Sequence, residues 1–161
     1  MTDYLGIYLN DQLAMGVLWR ELARRAARNN AGTEAESALN EVAHEISEDV
    51  ETFRAIMDRT GVRVSRVKST AAVAAERVGR FKPNGRVFSC SPLSRFTELE
   101  ILIMGIDAKK QLWSTLRDAA GLGESLPDID FDGLIERADR QSTMLKPWRE
   151  TAGRAAFRTS S

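Results

Sequence analysis

The chain has 161 residues, 43% apolar and 29% charged, with 23 Lys and Arg against 23 Asp and Glu. That length and apolar content suit one domain, residues 1–161, with a real core, and they exclude global disorder, which pairs low apolar content with high net charge. A formal net charge of +0 excludes a surface built wholly to hold nucleic acid.

Hydrophobic spacing is helical throughout. A first helix is expected over residues 3–29, capped by Thr2 or Asp3, with Leu5, Tyr8, Leu9, Gly16, Trp19, Ala23 and Ala27 on one face. Arg24, Arg25 and Arg28 crowd its last turns, where cations meet the negative end of the helix dipole. Thr33-Glu34-Ala35-Glu36 reads as a capping box that opens a second helix. Its seam is Leu39, Val42, Ile46, Val50, Phe53 and Met57, and Gly61 stops it. The short link forces these two helices into an antiparallel hairpin.

Residues 62–91 form a long connection, with a shorter helix expected over 66–80 and a turn at Pro83-Asn84-Gly85. Ser91-Pro92 opens the next helix, with Ser as cap and Pro in the first turn. That helix is expected to reach Ala120, with Leu99, Leu102, Ile106 and Trp113 on one face and Gly121 as its stop. The last helix starts after Pro127, near Asp128 or Asp130. Its seam is Phe131, Leu134, Ala138, Gln141, Leu145, Trp148, Ala152 and Ala155, and Pro147 should kink it. The expected fold is all-α: two helical hairpins joined by a crossover, an up-down-down-up four-helix bundle with a short extra helix in the connection. In that arrangement Trp19 and Trp148 lie toward one end and Trp113 toward the other.

The single cysteine, Cys90, permits no intramolecular disulfide and fits a reducing compartment, so the expected location is cytoplasmic. Asp3 and Asp11 near the start are unlike a secretory signal. The apolar run near 101–106 is far too short to span a bilayer. Cys90 lies just before a helix start, where a thiol pKa can fall, but no His or second Cys is near it in sequence.

Three segments carry a family resemblance: Tyr8-Leu9-Asn10-Asp11, Arg80-Phe81-Lys82-Pro83-Asn84-Gly85-Arg86, and Ser91-Pro92-Leu93-Ser94-Arg95 running to Glu98-Leu99-Glu100. The chain resembles the ferritin-like superfamily, and within it an uncharacterised bacterial family of ferritin-like helical-bundle proteins. The superfamily implies a di-iron or di-manganese carboxylate site. Such a centre takes one Glu from each of two helices and a Glu-x-x-His from each of the other two, all pointing inward. Here there is one Glu-x-x-His, Glu41-Val42-Ala43-His44. At about 100° per residue, Glu41 and His44 fall roughly 140–160° from the seam of their helix, on the polar face with Glu48. The last helix holds no His, and Glu98 is the lone carboxylate that reads as inward. Arg95, Lys109, Tyr8 or Gln141 are its expected partners. A complete di-metal site is therefore not expected, no cofactor is implied, and Glu41, His44 and Glu48 remain as a weak surface set for a divalent cation.

Charge is unevenly distributed. Residues 33–58 hold eight acids and one base, and residues 59–86 hold eight bases and one acid. The basic side chains Arg63, Arg66, Lys68, Arg77, Arg80, Lys82 and Arg86 are the expected interaction residues. They can face the acidic stretch of their own chain or that of a second copy, giving a salt-sensitive homo-oligomer. Nucleic acid fits less well, because no aromatic platform is interleaved and only one basic stretch exists. The sequence thus points to a non-enzymatic scaffold or protein-interaction module. The alternative is a metal-dependent ferritin-like protein with a reduced or non-standard carboxylate/His site.

Overall fold

The computed structural model describes residues 3–65 and 91–158. The expected helix over 66–80, Cys90 and six of the basic residues (Arg66, Lys68, Arg77, Arg80, Lys82 and Arg86) lie outside the described residues. Within them the chain is all-α, without a strand: α1 is Tyr4–Asn29, α2 Glu36–Arg59, α3 Pro92–Ser114, α4 the short Leu122–Ser125, and α5 Phe131–Phe157. No described helix is long and apolar enough to cross a membrane.

Three of the long helices begin where the sequence supplies an acceptor for an orphan backbone donor. Asp3 accepts from the Gly6 amide at 2.8 Å, Ser91 from Ser94 at 3.2 Å, and Asp130 from Gly133 at 2.9 Å. The second helix departs from expectation and begins at Glu36 rather than Glu34. Tight turns occupy the would-be first residues: Thr33 N–H donates to the Asn30 carbonyl and Glu36 N–H to the Thr33 carbonyl, both at 3.1 Å. The two side chains of the expected capping box still work there. The Thr33 hydroxyl accepts from Ala35, and the Glu36 carboxylate accepts from Gly32.

Gly61, at φ 72°, ends α2 as expected. Its N–H reaches Asp58 O at 3.1 Å and the Val62 N–H reaches Met57 O at 3.0 Å, the pair of bonds a left-handed glycine allows past a helix end. After α3 the chain continues as one π-helical turn, Thr115–Ala119, and a bond from Ala120 N–H to Thr115 O at 3.0 Å closes it. This turn and α4 were not legible as separate elements. The last helix stays one helix through Pro147. Both Pro147 and Thr143, whose carbonyl loses its helical donor there, are exposed, so water can satisfy that oxygen.

The pairing of side chains fixes the topology. Arg20 faces Glu51 and Arg24 faces Ser47, so α1 and α2 are antiparallel. Lys110 meets Asp139 and Arg149 meets Glu100, so α3 and α5 are antiparallel. Arg25 bonds Glu98 while Trp19 lies against Gly105, which sets α3 antiparallel to α1. Arg140 meets Glu45 and Arg137 meets Asp49, which sets α5 antiparallel to α2. The order is up-down-down-up, and α2 and α3 run parallel. The 62–91 connection therefore joins opposite ends of the bundle, a distance of roughly 35 Å for helices of this length. Its start is tied to α1 by Asn10, which donates to Arg63 O at 3.2 Å and accepts from Ser65 N–H at 2.7 Å.

Packing divides the core in two. One cluster, around Ala23, Val42, Ile46, Leu102 and Ile106, takes Trp19 and Trp148 at its edge. The other, around Leu13, Val50, Phe53, Leu116 and Phe131, contains Trp113. The tryptophans thus sort to the two ends as the crossover topology requires. Ala155, expected on the α5 seam, is exposed; Gly153 is buried there instead, against Phe96.

The approach of α1 to α3 depends on Gly105, because the Trp19 indole occupies the place where a Cβ at that position would be. Gly105→Ala should destabilise the fold by about 1–3 kcal/mol, the usual cost of overpacking, in a urea titration. An unchanged midpoint would show that α1 can move aside freely.

Candidate functional site

Between the two apolar clusters lies a layer of charged and polar side chains. Asp49 of α2 is 3% exposed, Gln141 of α5 is 0% exposed, and the Lys109 side chain of α3 is 14% exposed. Neighbouring seam residues belong to opposite clusters: Ile46 and Val50 flank Asp49, and Ile106 and Leu112 flank Lys109. The helix register brings the polar groups to one level. Asp49 continues the spacing Leu39-Val42-Ile46-Asp49-Phe53-Ile56, and Lys109 continues Leu99-Leu102-Ile106-Lys109-Trp113-Leu116.

Asp49 accepts from both Lys109 Nζ and Arg137 Nη2. Lys109 also donates to Gln141 Oε1 at 2.6 Å, and Gln141 Nε2 donates to Glu45 Oε2 at 2.9 Å. Arg140 bonds the other Glu45 oxygen at 2.6 Å, and Arg137 reaches Glu48 at 3.1 Å. Three carboxylates from α2 are thus matched by one ammonium from α3 and two guanidiniums from α5. A buried charge is tolerated only when paired and hydrogen-bonded, and here each carboxylate is.

Electrostatics follow from that matching. Burial pulls Lys109 below the usual lysine range, against the opposing charge and hydrogen bond of Asp49. Burial pushes Glu45 upward, but hydrogen bonds from Gln141 and Arg140 and the charges of Arg140 and Arg137 outweigh it and leave Glu45 below the ordinary glutamate value.

Glu98 is inward and paired, with its side chain 10% exposed. Its partners differ from those expected. Arg25 Nε donates to it at 3.0 Å, and the Asn29 amide reaches both of its oxygens at 3.3 Å. Lys109 serves Asp49 instead, Gln141 bridges Lys109 and Glu45, and Arg95 Nε is buried with no partner among the described residues. Glu98 was expected to be the lone inward carboxylate; Asp49 is more deeply buried. The sequence seam that jumped from Ile46 to Val50 passed over Asp49, whereas the alternating three-four spacing lands on it.

His44 and Glu41 lie on the exposed face of α2, with the His44 side chain 76% exposed and 3.4 Å from Glu48. Glu48 is shared with Arg137. Among the described residues no group of three or more His, Cys, Asp or Glu is placed to hold a metal ion. At the bundle centre, the oxygen ligands such an ion needs are already engaged by fixed cations. Arg63 is exposed near Asn10.

The acidic stretch of α2 is largely answered within its own chain. Glu45, Glu48, Asp49 and Glu51 each meet a base from α1, α2, α3 or α5. The described end of the basic stretch looks elsewhere: Arg59 pairs with Asp128.

Removing one member of the Asp49, Lys109 and Arg137 cluster should be costly and replacing all three by apolar residues cheap. Asp49→Ala leaves Lys109 and Arg137 buried without their carboxylate and should cost about 3–5 kcal/mol by urea unfolding. The triple variant Asp49→Leu, Lys109→Met and Arg137→Met should cost far less than the sum of its parts. Additive costs would refute a mutually compensated layer.

Glu45 gives a pH signature. A carboxylate held below its unfolded value adds stability where it is ionised and gives it up as pH falls through the folded value. Glu45→Gln should therefore lower stability at pH 7 by about 1–2 kcal/mol, a charged hydrogen bond reduced by partial solvent screening. The difference from the parent should fade below the ordinary glutamate range. A difference that grew on acidification would contradict the pairing.

Comparison with protein-family models, curated proteins and solved structures gives no match to this chain.

Proposed function

We propose that the chain is a ferritin-like bundle without a di-metal centre, acting in the cytoplasm as a non-enzymatic scaffold or protein-interaction module. One observation carries this reading: where carboxylates converge at the middle of the bundle, Lys109, Arg137 and Gln141 occupy the positions around them. Three cations against three carboxylates balance the site electrically, so a dication there would have to displace a Lys or Arg partner to gain ligands. The ferritin-like assignment is supported by the up-down-down-up order and by the sequence segments that resemble that superfamily. The alternative, a reduced metal site, would have to use Glu41, His44 and Glu48 on the exposed face, where Arg137 competes for Glu48.

In this reading the basic 59–86 stretch is the recognition element, through Arg63, Arg66, Lys68, Arg77, Arg80, Lys82 and Arg86. Half of the acids in 33–58 are neutralised within the chain, which supports an intermolecular counterpart for those bases. The counterpart we favour is a second copy, presenting the exposed Glu34, Glu41 and Asp58.

Two measurements test the proposal. Protein purified without chelators should carry clearly substoichiometric Fe, Mn and Zn by elemental analysis; a full equivalent would overturn the scaffold reading in favour of the metal one. On size exclusion, the chain should elute as an oligomer at low salt and as a monomer at high salt. Arg77→Glu with Arg80→Glu should elute as a monomer throughout. A monomer under every condition would discard the homo-oligomer.

A further inference from the structure

Two leucines of α1 are buried on the side that faces away from the core. Leu18 and Leu22 are 4% and 5% exposed. Leu18 stands nine residues from Leu9 and nine from Ala27, and Leu22 stands nine from Leu13. At about 100° per residue, both therefore point roughly 180° away from those core side chains. Leu9, Leu13 and Ala27 belong to the two apolar clusters of the described residues, and neither Leu18 nor Leu22 does. The same outward row of α1 holds Ile7, Asp11 and Asn29, and all three are exposed, Ile7 to 55%. The row is thus open at both ends and covered in the middle.

The other long helices lie elsewhere around α1. The α2 helix meets the side that carries Arg20, α3 the side that carries Trp19, and α5 pairs with α2 and α3. Outside the described residues, 1–2 precede a point about 20 Å short of Leu18 along the axis, and 159–161 follow α5. The stretch that reaches the two leucines is 66–90. Both of its flanks are held beside α1: Ser65 N–H donates to Asn10 at 2.7 Å, and Ser91 opens α3, whose Glu98 meets Asn29. Leu18 and Leu22 lie between Asn10 and Asn29, a run of about 28 Å. The helix expected over 66–80 would be about 22 Å long, with Val67, Ala71, Ala74, Val78 and Phe81 as its apolar stripe. Arg66, Arg77 and Arg80 stand roughly 80–140° from that stripe.

We propose that residues 66–90 cross the outer face of α1 and seat their apolar stripe on Leu18 and Leu22, with Arg66, Arg77 and Arg80 turned outward. The seat gives the stripe an apolar surface and leaves the guanidiniums in water, as an amphipathic segment requires. It stands on the burial of the two leucines; only its use, to hold the basic side chains toward a second copy, rests on the function proposed above.

Disulfide trapping in the full chain at high salt tests the seat. With Cys90→Ser to remove the native thiol, Leu18→Cys is combined in turn with Ala71→Cys, Ala74→Cys and Val78→Cys. At least one pair should close within a chain on exposure to oxidised glutathione, since a disulfide needs Cα atoms within about 7 Å. Arg24→Cys, toward α2, should close with the same partners at least about tenfold more slowly. Leu18→Asn should speed tryptic cleavage after Arg77 and Arg80 by about tenfold or more, the worth of one buried leucine, with helix content kept in circular dichroism. No disulfide within a chain in any pair, equal rates from Arg24→Cys, or unchanged cleavage in Leu18→Asn would each overturn the seat. Disulfides formed only between chains at high salt would overturn it too. A trapped seat in a chain that elutes as a monomer at low salt would support the seat and discard only the second copy, so the two readings fail separately.

Discussion

Asp49, held between Lys109 and Arg137, is the interaction on which the rest of this bundle turns. A carboxylate that deep in an apolar interior is unfavourable unless opposite charge and hydrogen bonds come with it. Its partners arrive from two other helices, α3 and α5, and only one helix register satisfies them together. The layer thereby sets the depth at which the second hairpin sits against the first. Slipping α3 or α5 by one turn would strand charge in hydrocarbon. Apolar clusters on either side supply most of the burial, but leucines and alanines tolerate several registers and a salt-bridged layer does not. That use of buried polarity, to select one arrangement rather than to add stability, matches its best-attested role in helical assemblies.

The same layer shows how a bundle can bring acids inward without forming a metal ligand set. Asp49 and Glu45 lie inward and Glu48 at the exposed edge, and Lys109, Arg137 and Arg140 pair with them, so their charge is cancelled by side chains. Opposite this neutral wall, α1 presents a glycine. The result is an asymmetric level of the bundle, polar and filled toward α5, apolar and open toward α1. Trp19 and Trp113 border the open part from the two ends of the core. Gly105 and Gly16 play different parts here: the first lets an indole lie on the backbone, and the second leaves space.

Much of this architecture was legible along the chain. Helical periodicity, the Ser91-Pro92 start, the Gly61 and Gly121 stops and the Asp130 cap are local signals, and each formed where it was read. Local signals failed where two of them competed. The Thr33 box was overridden by turns that use the same amides, so α2 starts two residues late. The α3 end was read as one stop, but it contains a π-helical turn and a further short helix. At the centre, the apolar arc of its helix marks Glu98 as inward, but its partners are Arg25 and Asn29 rather than Arg95, Lys109, Tyr8 or Gln141. Asp49 was missed because Val50 beside it offered a hydrophobic residue to continue the seam.

The sequence by itself determined that the chain is helical, how its helices pair into hairpins, and that the di-metal ligand pattern is incomplete. These follow from spacing along one helix and from link lengths, which are local quantities. Only the tertiary structure decided which charges meet. Lys109 answers Asp49 rather than Glu98, and Arg137 and Arg140 of α5 pair with Glu45, Glu48 and Asp49 of α2. Partner choice between helices depends on rotation and axial offset, and those are fixed by the packing of all four helices at once. Among the described residues, the acids and bases of the composition are therefore resolved in space as a neutral layer, buried at Asp49 and Gln141 and open to solvent at Glu48 and Arg140.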